Sequence, residues 1–339
     1  MIKPAYIAGI SYYLPQNTLT NEQLIREFPE WTVDKVTDKL GIKERHIAGQ
    51  NETALDLAVA ACEKFFEEHQ IIKKENIDFV LLCTQSPDYL LPTSACILQD
   101  KLGLSTHCGA LDFNLGCSGY IYGLSLAKGL IATGTARNIL LITSETYTKH
   151  LHPSDKGNRT IFGDAAAVTL VATTGFAEIG MFSFGTDGKG WKNLIIGSGG
   201  ARNPNKSNHI GVDEAGNFLS NDYLYMNGSE IFNFTLEAVP VLVKSTLSNN
   251  VLTQNEIDFF VFHQANKYIL NFLRKKIKIP EDKFYYCLEH VGNTVSSTIP
   301  IALKEAGNSI KDKKMKNILL VGFGVGYSWG GTIIKYAYD

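Results

Sequence analysis

The chain has 339 residues, 45% of them hydrophobic and 19% charged, with 32 basic residues against 34 acidic ones. That is a globular composition, and the length exceeds one simple core, since chains divide beyond roughly 250–300 residues. The balanced charge excludes a general polyanion binder such as a nucleic-acid protein, and no apolar run approaches the roughly 18 residues of a membrane helix.

In chain order, residues 1–10 read as a first strand and lack the apolar stretch of a signal peptide. A helix is predicted over 53–69, opened by Glu52 and Thr53, with Leu55, Ala58, Val59, Cys62, Phe65 and Phe66 on its apolar face. A strand over 78–83 follows, then a helix over 93–102, a strand over 109–114, a helix over 118–132 and a strand over 138–143. Strands apolar on consecutive residues are buried on both faces. Their alternation with helices predicts a mostly parallel sheet. Residues 185–222 are rich in Gly, Asn and Ser and read as an excursion or lid. The six cysteines are scattered without a CxxC pair, which predicts a reducing, cytoplasmic compartment, no disulfide framework and no zinc.

The chain is written twice. Ile77-Asp-Phe79 recurs as Ile257-Asp-Phe259, 180 residues on, and Arg137-Asn-Ile-Leu-Leu141 recurs as Lys316-Asn-Ile-Leu-Leu320, 179 residues on. Two matching strands in the same order at nearly one offset predict two similar halves, 1–175 and 176–339. Stacked, they would form a layered αβαβα architecture with two mostly parallel central sheets.

In open α/β sheets, ligands gather beyond the carboxyl ends of strands. Three residues follow apolar runs there. Cys117 lies between a strand, Gly116 and a helix; the helix N-terminus would lower its thiol pKa, and Gly116 and Gly119 would leave room for a substrate. The alternative is a buried structural cysteine. His263 ends the run Phe259-Phe-Val-Phe262, as a catalytic group or a satisfied core histidine. Asn293 stands in a polar turn before an apolar helix, as a ligand donor or a helix cap. Gly322-Phe-Gly-Val-Gly326 has no glycine where the dinucleotide-binding pattern G-x-G-x-x-G needs its third one, and too little chain follows for a βαβ unit. His150, His152 and Asp155 lack a third clear metal ligand.

Together the segments Gly41-Ile-Lys-Glu-Arg-His-Ile47, Asn114-Leu-Gly-Cys-Ser-Gly-Tyr-Ile-Tyr-Gly123, Ile161-Phe-Gly-Asp-Ala-Ala166, His263-Gln-Ala-Asn266, Gly292-Asn-Thr294 and Gly322-Phe-Gly-Val-Gly-Tyr-Ser-Trp329 resemble the β-ketoacyl-acyl-carrier-protein synthase III family. The resemblance covers nearly the whole chain. It implies a duplicated thiolase fold, a homodimer and a Cys117-His263-Asn293 site. It also implies a decarboxylative Claisen condensation of an acyl-CoA with malonyl-acyl carrier protein through an acyl-cysteine. The thioesters of coenzyme A and phosphopantetheine are substrates, and no metal or redox cofactor is needed. The same resemblance assigns an oxyanion hole to the N–H groups of Cys117 and Val325. Substrate contacts fall to Lys156, Gly228, Ser229, Phe232, Ala265 and Leu91, and carrier-protein docking to the basic residues Lys267, Arg274, Lys275 and Lys276.

Departures from the family pattern bear on the substrate. Spacing between Trp31 and Gly41 is longer than usual, which would take Trp31 off the nucleotide. Lys156 stands for arginine, Ser229 for asparagine, Leu91 for a phenylalanine that reaches the partner's acyl pocket, Tyr268 for a docking arginine and Val325 for glycine. A second reading is an acyltransferase serving an oxygen or nitrogen nucleophile in a specialised pathway, which could dispense with Asn293. A remote third is a papain-like cysteine hydrolase, which has the same Cys, His, Asn order but a different local signature.

Overall fold

The apolar runs form strands β1 (Tyr6–Tyr13), β2 (Phe79–Cys83), β3 (Gly109–Phe113), β4 (Asn138–Glu145), β5 (Ala165–Ala172), β6 (Ala177–Thr186), β7 (Phe259–Phe262), β8 (Asn317–Gly324) and β9 (Ser328–Tyr336). The main helices are α1 (Asn21–Glu27), α2 (Val33–Leu40), α3 (Ala54–Glu68), α4 (Ser94–Lys101), α5 (Gly119–Ala132), α6 (Gly228–Asn249), α7 (Lys267–Ile277) and α8 (Thr298–Asp312). The structure is a computed structural model that describes residues 3–212, 218–312 and 314–337. No described helix is long and apolar enough to cross a membrane. Thr53 opens α3 through a capping box: its hydroxyl accepts from Asp56 N–H, and the Asp56 carboxylate accepts from Thr53 N–H.

The nine strands lie in the order β7-β8-β9-β6-β1-β5-β4-β2-β3. Two groups meet at β1 and β6, which share only Tyr6↔Glu178 and Ile7↔Ala177. Pairing is mixed rather than mostly parallel. β2–β3, β2–β4 and β7–β8 are parallel, while β5 and β9 return antiparallel against β4 and β8. For β9 the reason is connection length. Residues 325–327 alone join β8 to β9, and a parallel crossover needs a dozen or more.

Helices complete five layers. α3 packs on β1, β4 and β5, and α6 packs on β6, β8 and β9. α5 and α8 lie between the two strand groups: α5 touches β2, β4 and β5 on one side and β6, β8 and β9 on the other. Its Tyr120, Ile121, Leu124, Ala127 and Ile131 are all fully buried. A helix covered on two sides has no polar face to show, hence the nearly uninterrupted apolar sequence of 119–132.

The repeated sequence has a repeated geometry. Asp78 Oδ2 accepts from Arg137 and Asn138 N–H at 2.7 and 2.9 Å. Asp258 Oδ2 accepts from Lys316 and Asn317 N–H at 2.8 and 3.0 Å. Asn138 Nδ2 donates to Asn76 O, and Asn317 Nδ2 to Glu256 O. Each clasp fixes the register where one parallel strand starts beside the next.

Candidate active site

Cys117 follows β3, His263 follows β7, and Asn293 lies in the loop before α8. All three line one cavity of about 570 Å³ together with Phe323 and Gly324 at the end of β8. Gly324 is required by close approach: a Cβ there would stand 2.9 Å from Cys117 Cβ and 3.1 Å from its Sγ. Gly116 and Gly119 do different work from that expected. A Cβ on Gly119 would meet Cys83 Sγ, and one on Gly116 would meet Gln85 Oε1 and Val325 Cγ1. Their space is filled by protein, not left for substrate.

The thiol of Cys117 is not activated at rest. Burial, and then the charge of Glu145, push its pKa up to about 12. This corrects the expectation of a lowered value, because Cys117 is only 7% exposed and packs among Tyr147, Leu151, Phe162, Leu194, Leu224 and Val295. Desolvation of a thiolate outweighs a helix end.

His263 is 2% exposed, and burial pushes its pKa down to about 3. The ring is therefore neutral near pH 7. The backbone N–H of His263 donates to Val321 O at 2.7 Å, so the backbone continues β7 into the site. Its Nδ1 lies 2.7 Å from Thr298 Oγ1, and Phe323 stands edge-on to the ring.

Asn293 is 5% exposed, and its Oδ1 accepts from Val295 N–H at 2.9 Å. With its oxygen committed, the amide presents Nδ2–H as its remaining polar end, a donor. The capping alternative is therefore realised in part, on the turn Val295–Ser297 rather than on α8 itself. The loop is pinned from behind: Asn293 N–H donates to Ile161 O, and Gly163 N–H to Asn293 O. Arg45, fully buried, donates from Nη2 to Thr160 O at 2.8 Å and from Nη1 to Leu19 O and Asn21 Oδ1. Two of the recognised segments thus serve to hold Asn293.

The remaining expected contacts divide. Gly228, Ser229, Phe232 and Ala265 line the cavity. Trp31 lines it too, with Lys35 and Lys39 of α2, against the expectation from its spacing to Gly41. Lys156 does not: its Nζ pairs with Glu30 Oε1 at 2.7 Å, leaving Gly157 and Thr160 on the wall. Leu91 is 82% exposed, away from the cavity, beside exposed Tyr89 and Leu90. Val325 packs at the edge of the apolar cluster around Cys117. Lys267 and Lys275 line a smaller hollow with Lys39 and Tyr268 beside the cavity mouth, and Lys276 is exposed. Arg274 is not part of an exposed patch, since it pairs with Glu281 at 3.3 Å and its side chain is only 13% exposed. The 185–222 excursion closes one wall: Leu194 lines the cavity, and Leu194–Ile195 pairs with Tyr225–Met226. Its residues 213–217 lie outside those described.

His150, His152 and Asp155 go separate ways. His150 contacts Ser86 Oγ, His152 stacks on Phe218, and Asp155 caps the turn at Asn158. Among the described residues no group of three metal-ligand side chains occurs.

Sequence reasoning missed Glu145. It is fully buried, accepts from Gln85 N–H and Ser86 Oγ at 3.0 Å, and takes a longer contact of 3.4 Å from Ser296 Oγ. Burial pushes its pKa up to about 8 against these donors. The available signal was a carboxylate three residues past the apolar run Ile139–Ile142, at a strand's carboxyl end.

Models of 3-oxoacyl-[acyl-carrier-protein] synthase III match residues 111–188, and models of its C-terminal part match residues 247–336. Beta-ketoacyl-[acyl-carrier-protein] synthase III of Caldanaerobacter subterraneus is 35% identical over 98% of both chains. That of Clostridium perfringens is 36% identical over 98% of this chain and 100% of its own. Among solved structures, a 3-oxoacyl-(acyl-carrier-protein) synthase III is 48% identical with a TM-score of 0.93, covering 98% of this chain and 100% of its own. The Burkholderia xenovorans 3-oxoacyl-(acyl-carrier protein) synthase is 36% identical with a TM-score of 0.90, covering 99% and 95%. These likenesses span the whole chain and leave the cysteine hydrolase no support; the chain belongs to the 3-oxoacyl-[acyl-carrier-protein] synthase III family of thiolase-fold condensing enzymes.

Proposed function

We propose that Cys117, His263 and Asn293 carry a decarboxylative Claisen condensation of an acyl-CoA with malonyl-acyl carrier protein. Cys117 Sγ attacks the acyl thioester carbonyl, the N–H groups of Cys117 and Val325 hold the oxyanion, and coenzyme A leaves as its thiol. The thiol proton ends on the coenzyme A sulfur. A malonyl thioester then enters and loses carbon dioxide. The electrons of the broken C–C bond become an enolate, whose oxygen takes hydrogen bonds from His263 and Asn293. Its carbon attacks the acyl-cysteine and releases the 3-oxoacyl thioester, and Cys117 recovers a proton.

The observation that carries this reading is the pair of neutral side chains that line one cavity with the buried thiol. A histidine held uncharged and an asparagine whose Oδ1 is already committed suit an enolate oxygen. Transfer to an oxygen or nitrogen nucleophile would leave Asn293 without a task. The division into halves 1–175 and 176–339 is supported by the paired Asp78 and Asp258 clasps. A homodimer is supported by the exposed run Tyr89-Leu90-Leu91, which a second copy would cover. Six free cysteines fit a reducing cytoplasm.

Intact-protein mass spectrometry with a panel of acyl-CoAs tests the first half. One acyl mass per chain is expected, lost in Cys117→Ser. Acylation mapped to Cys62, Cys83, Cys96, Cys108 or Cys287 would overturn the assignment. For the second half, His263→Ala and Asn293→Ala should each slow malonyl decarboxylation on the order of 10²–10³-fold, as loss of one oxyanion donor does. Self-acylation should fall far less. Slow acylation with normal decarboxylation would reverse the roles.

A further inference from the structure

The cavity that reaches Cys117 runs from Trp31, Lys35 and Lys39 down to His263 and Asn293. Both thioesters have to use it. The acyl group stays on Cys117 while a second pantetheine arm fills that passage, so its tail has to lie away from the passage. What remains is the apolar cluster on the other side of the sulfur. Tyr147, Leu151, Leu224 and Val295 belong to that cluster and do not line the cavity. All four are buried, so the space a long tail would need is occupied by side chains.

Tyr147 is the largest of the four and stands just past the end of β4. Its hydroxyl donates to Gln85 Oε1 at 3.1 Å. Its ring lies 5.1 Å from that of Phe162 and stands edge-on to His150 at 5.9 Å. Gln85 is itself fixed, since its N–H donates to Glu145 and its Nε2 to Asn114 Oδ1, both at 3.0 Å. A Cβ on Gly116 would stand 2.7 Å from that same Gln85 Oε1, so the phenol is anchored beside the residue that precedes Cys117. Burial, and then the charge of Cys117, push the phenol pKa up, as a neighbouring thiolate would. We propose that Tyr147 is a specificity-determining residue whose ring stops the tail of the acyl-cysteine and confines the starter to short acyl groups of about two or three carbons. This rests on the reading that Cys117 carries the acyl group. A methyl or ethyl group fits where the cavity meets Sγ. Each further methylene has to be forced into packed side chains, and overpacking of that kind costs on the order of tenfold per methylene. A second copy of the chain adds walls to a site and removes none, so dimerisation does not lift the stop.

Intact-protein mass spectrometry with a straight-chain series from acetyl-CoA to octanoyl-CoA tests this on the full-length protein. Wild type should be acylated on Cys117 by acetyl-CoA and propionyl-CoA, with hexanoyl-CoA at least about 100-fold slower. Tyr147→Ala empties a space of roughly four methylenes and should bring hexanoyl-CoA to within about tenfold of acetyl-CoA. Tyr147→Phe keeps the ring and should keep the length limit. Tyr147→Leu, a smaller cut, should admit butyryl-CoA and pentanoyl-CoA, and it decides the matter if the alanine variant does not fold. Wild type that takes octanoyl-CoA as readily as acetyl-CoA overturns the proposal, as does an alanine or leucine variant that takes acetyl-CoA and gains no longer chain. A phenylalanine variant as permissive as the alanine one overturns it too, because the hydroxyl and not the ring would then set the length. Acylation of Cys117 by no member of the series, in any of these proteins, overturns the acyl-enzyme reading instead, so the two failures are separately visible.

Discussion

Glu145 is a fully buried carboxyl group. A carboxylate taken wholly out of water is destabilised by several kcal/mol unless its lone pairs are met, and here backbone and hydroxyl donors answer only part of that cost. Its pKa is about 8 in the folded state, well above that of a solvated glutamate. The buried Asp164, which accepts from Ala48 N–H and Thr148 N–H, is raised to about 6. For a carboxyl raised on folding, the unfolded chain releases its proton first. Stability is then fully present below the unfolded pKa and is lost as pH rises toward the folded one. Thermal stability should therefore fall between roughly pH 4 and 8, with Glu145 contributing an upper bound of about 5 kcal/mol. Glu145→Gln keeps the shape, removes the proton equilibrium and should flatten the curve above about pH 6, leaving the Asp164 slope below it. Melting temperatures of both proteins across this range check it, and equal slopes would mean that Glu145 stays charged. The same substitution removes the charge that helps raise the Cys117 thiol.

At the scale of elements, what could be read from sequence was whatever repeats or alternates. The helix over 53–69, the strands over 78–83 and 109–114 and the helix over 118–132 fall within two residues of α3, β2, β3 and α5. Ile77-Asp-Phe79 and Ile257-Asp-Phe259 were visible as a repeat because each aspartate caps the start of a neighbouring strand. Pairing direction was not legible, because β5 is fully buried and apolar and carries no mark of which way it runs. Cys117, His263 and Asn293 could be picked out by their places after strands and before helices. Glu145 offered only its place past a strand, since its partners lie about 60 residues away. The thiol pKa was misjudged for the same reason. The helix that follows Cys117 is local, whereas the apolar cluster that buries it is assembled from residues 117 to 295. Arg274 looked like part of a basic run and is instead spent on Glu281, the first residue of the next turn and four residues past the end of α7.

Across the whole molecule, a net charge of −2 leaves an acidic carrier protein nothing to gain except from a local field. The cations nearest the cavity mouth are Lys35 and Lys39 on α2 and Lys267 and Lys275 on α7, with Lys276 exposed beside them. Asp38 is the acidic residue in the same hollow. This cluster gathers from two helices, whereas a plain run of cations at a helix C-terminus would come from one. Exposed charges of this kind act on association rate and salt dependence more than on stability. Reversal should therefore be confined to groups without structural partners, which leaves out Arg274. With Lys267, Lys275 and Lys276 all changed to glutamate, use of malonyl-acyl carrier protein should weaken and its dependence on ionic strength should flatten. Self-acylation by acyl-CoA should change much less, because Cys117 lies inside the cavity. Steady-state rates at several salt concentrations, with acylation followed separately by mass, measure both. If both half-reactions are unchanged, these lysines only solvate a helix end and the carrier docks elsewhere. If the unmodified enzyme takes malonyl-CoA and ignores every carrier protein, the patch has no partner of this kind, and the acceptor is a coenzyme A thioester.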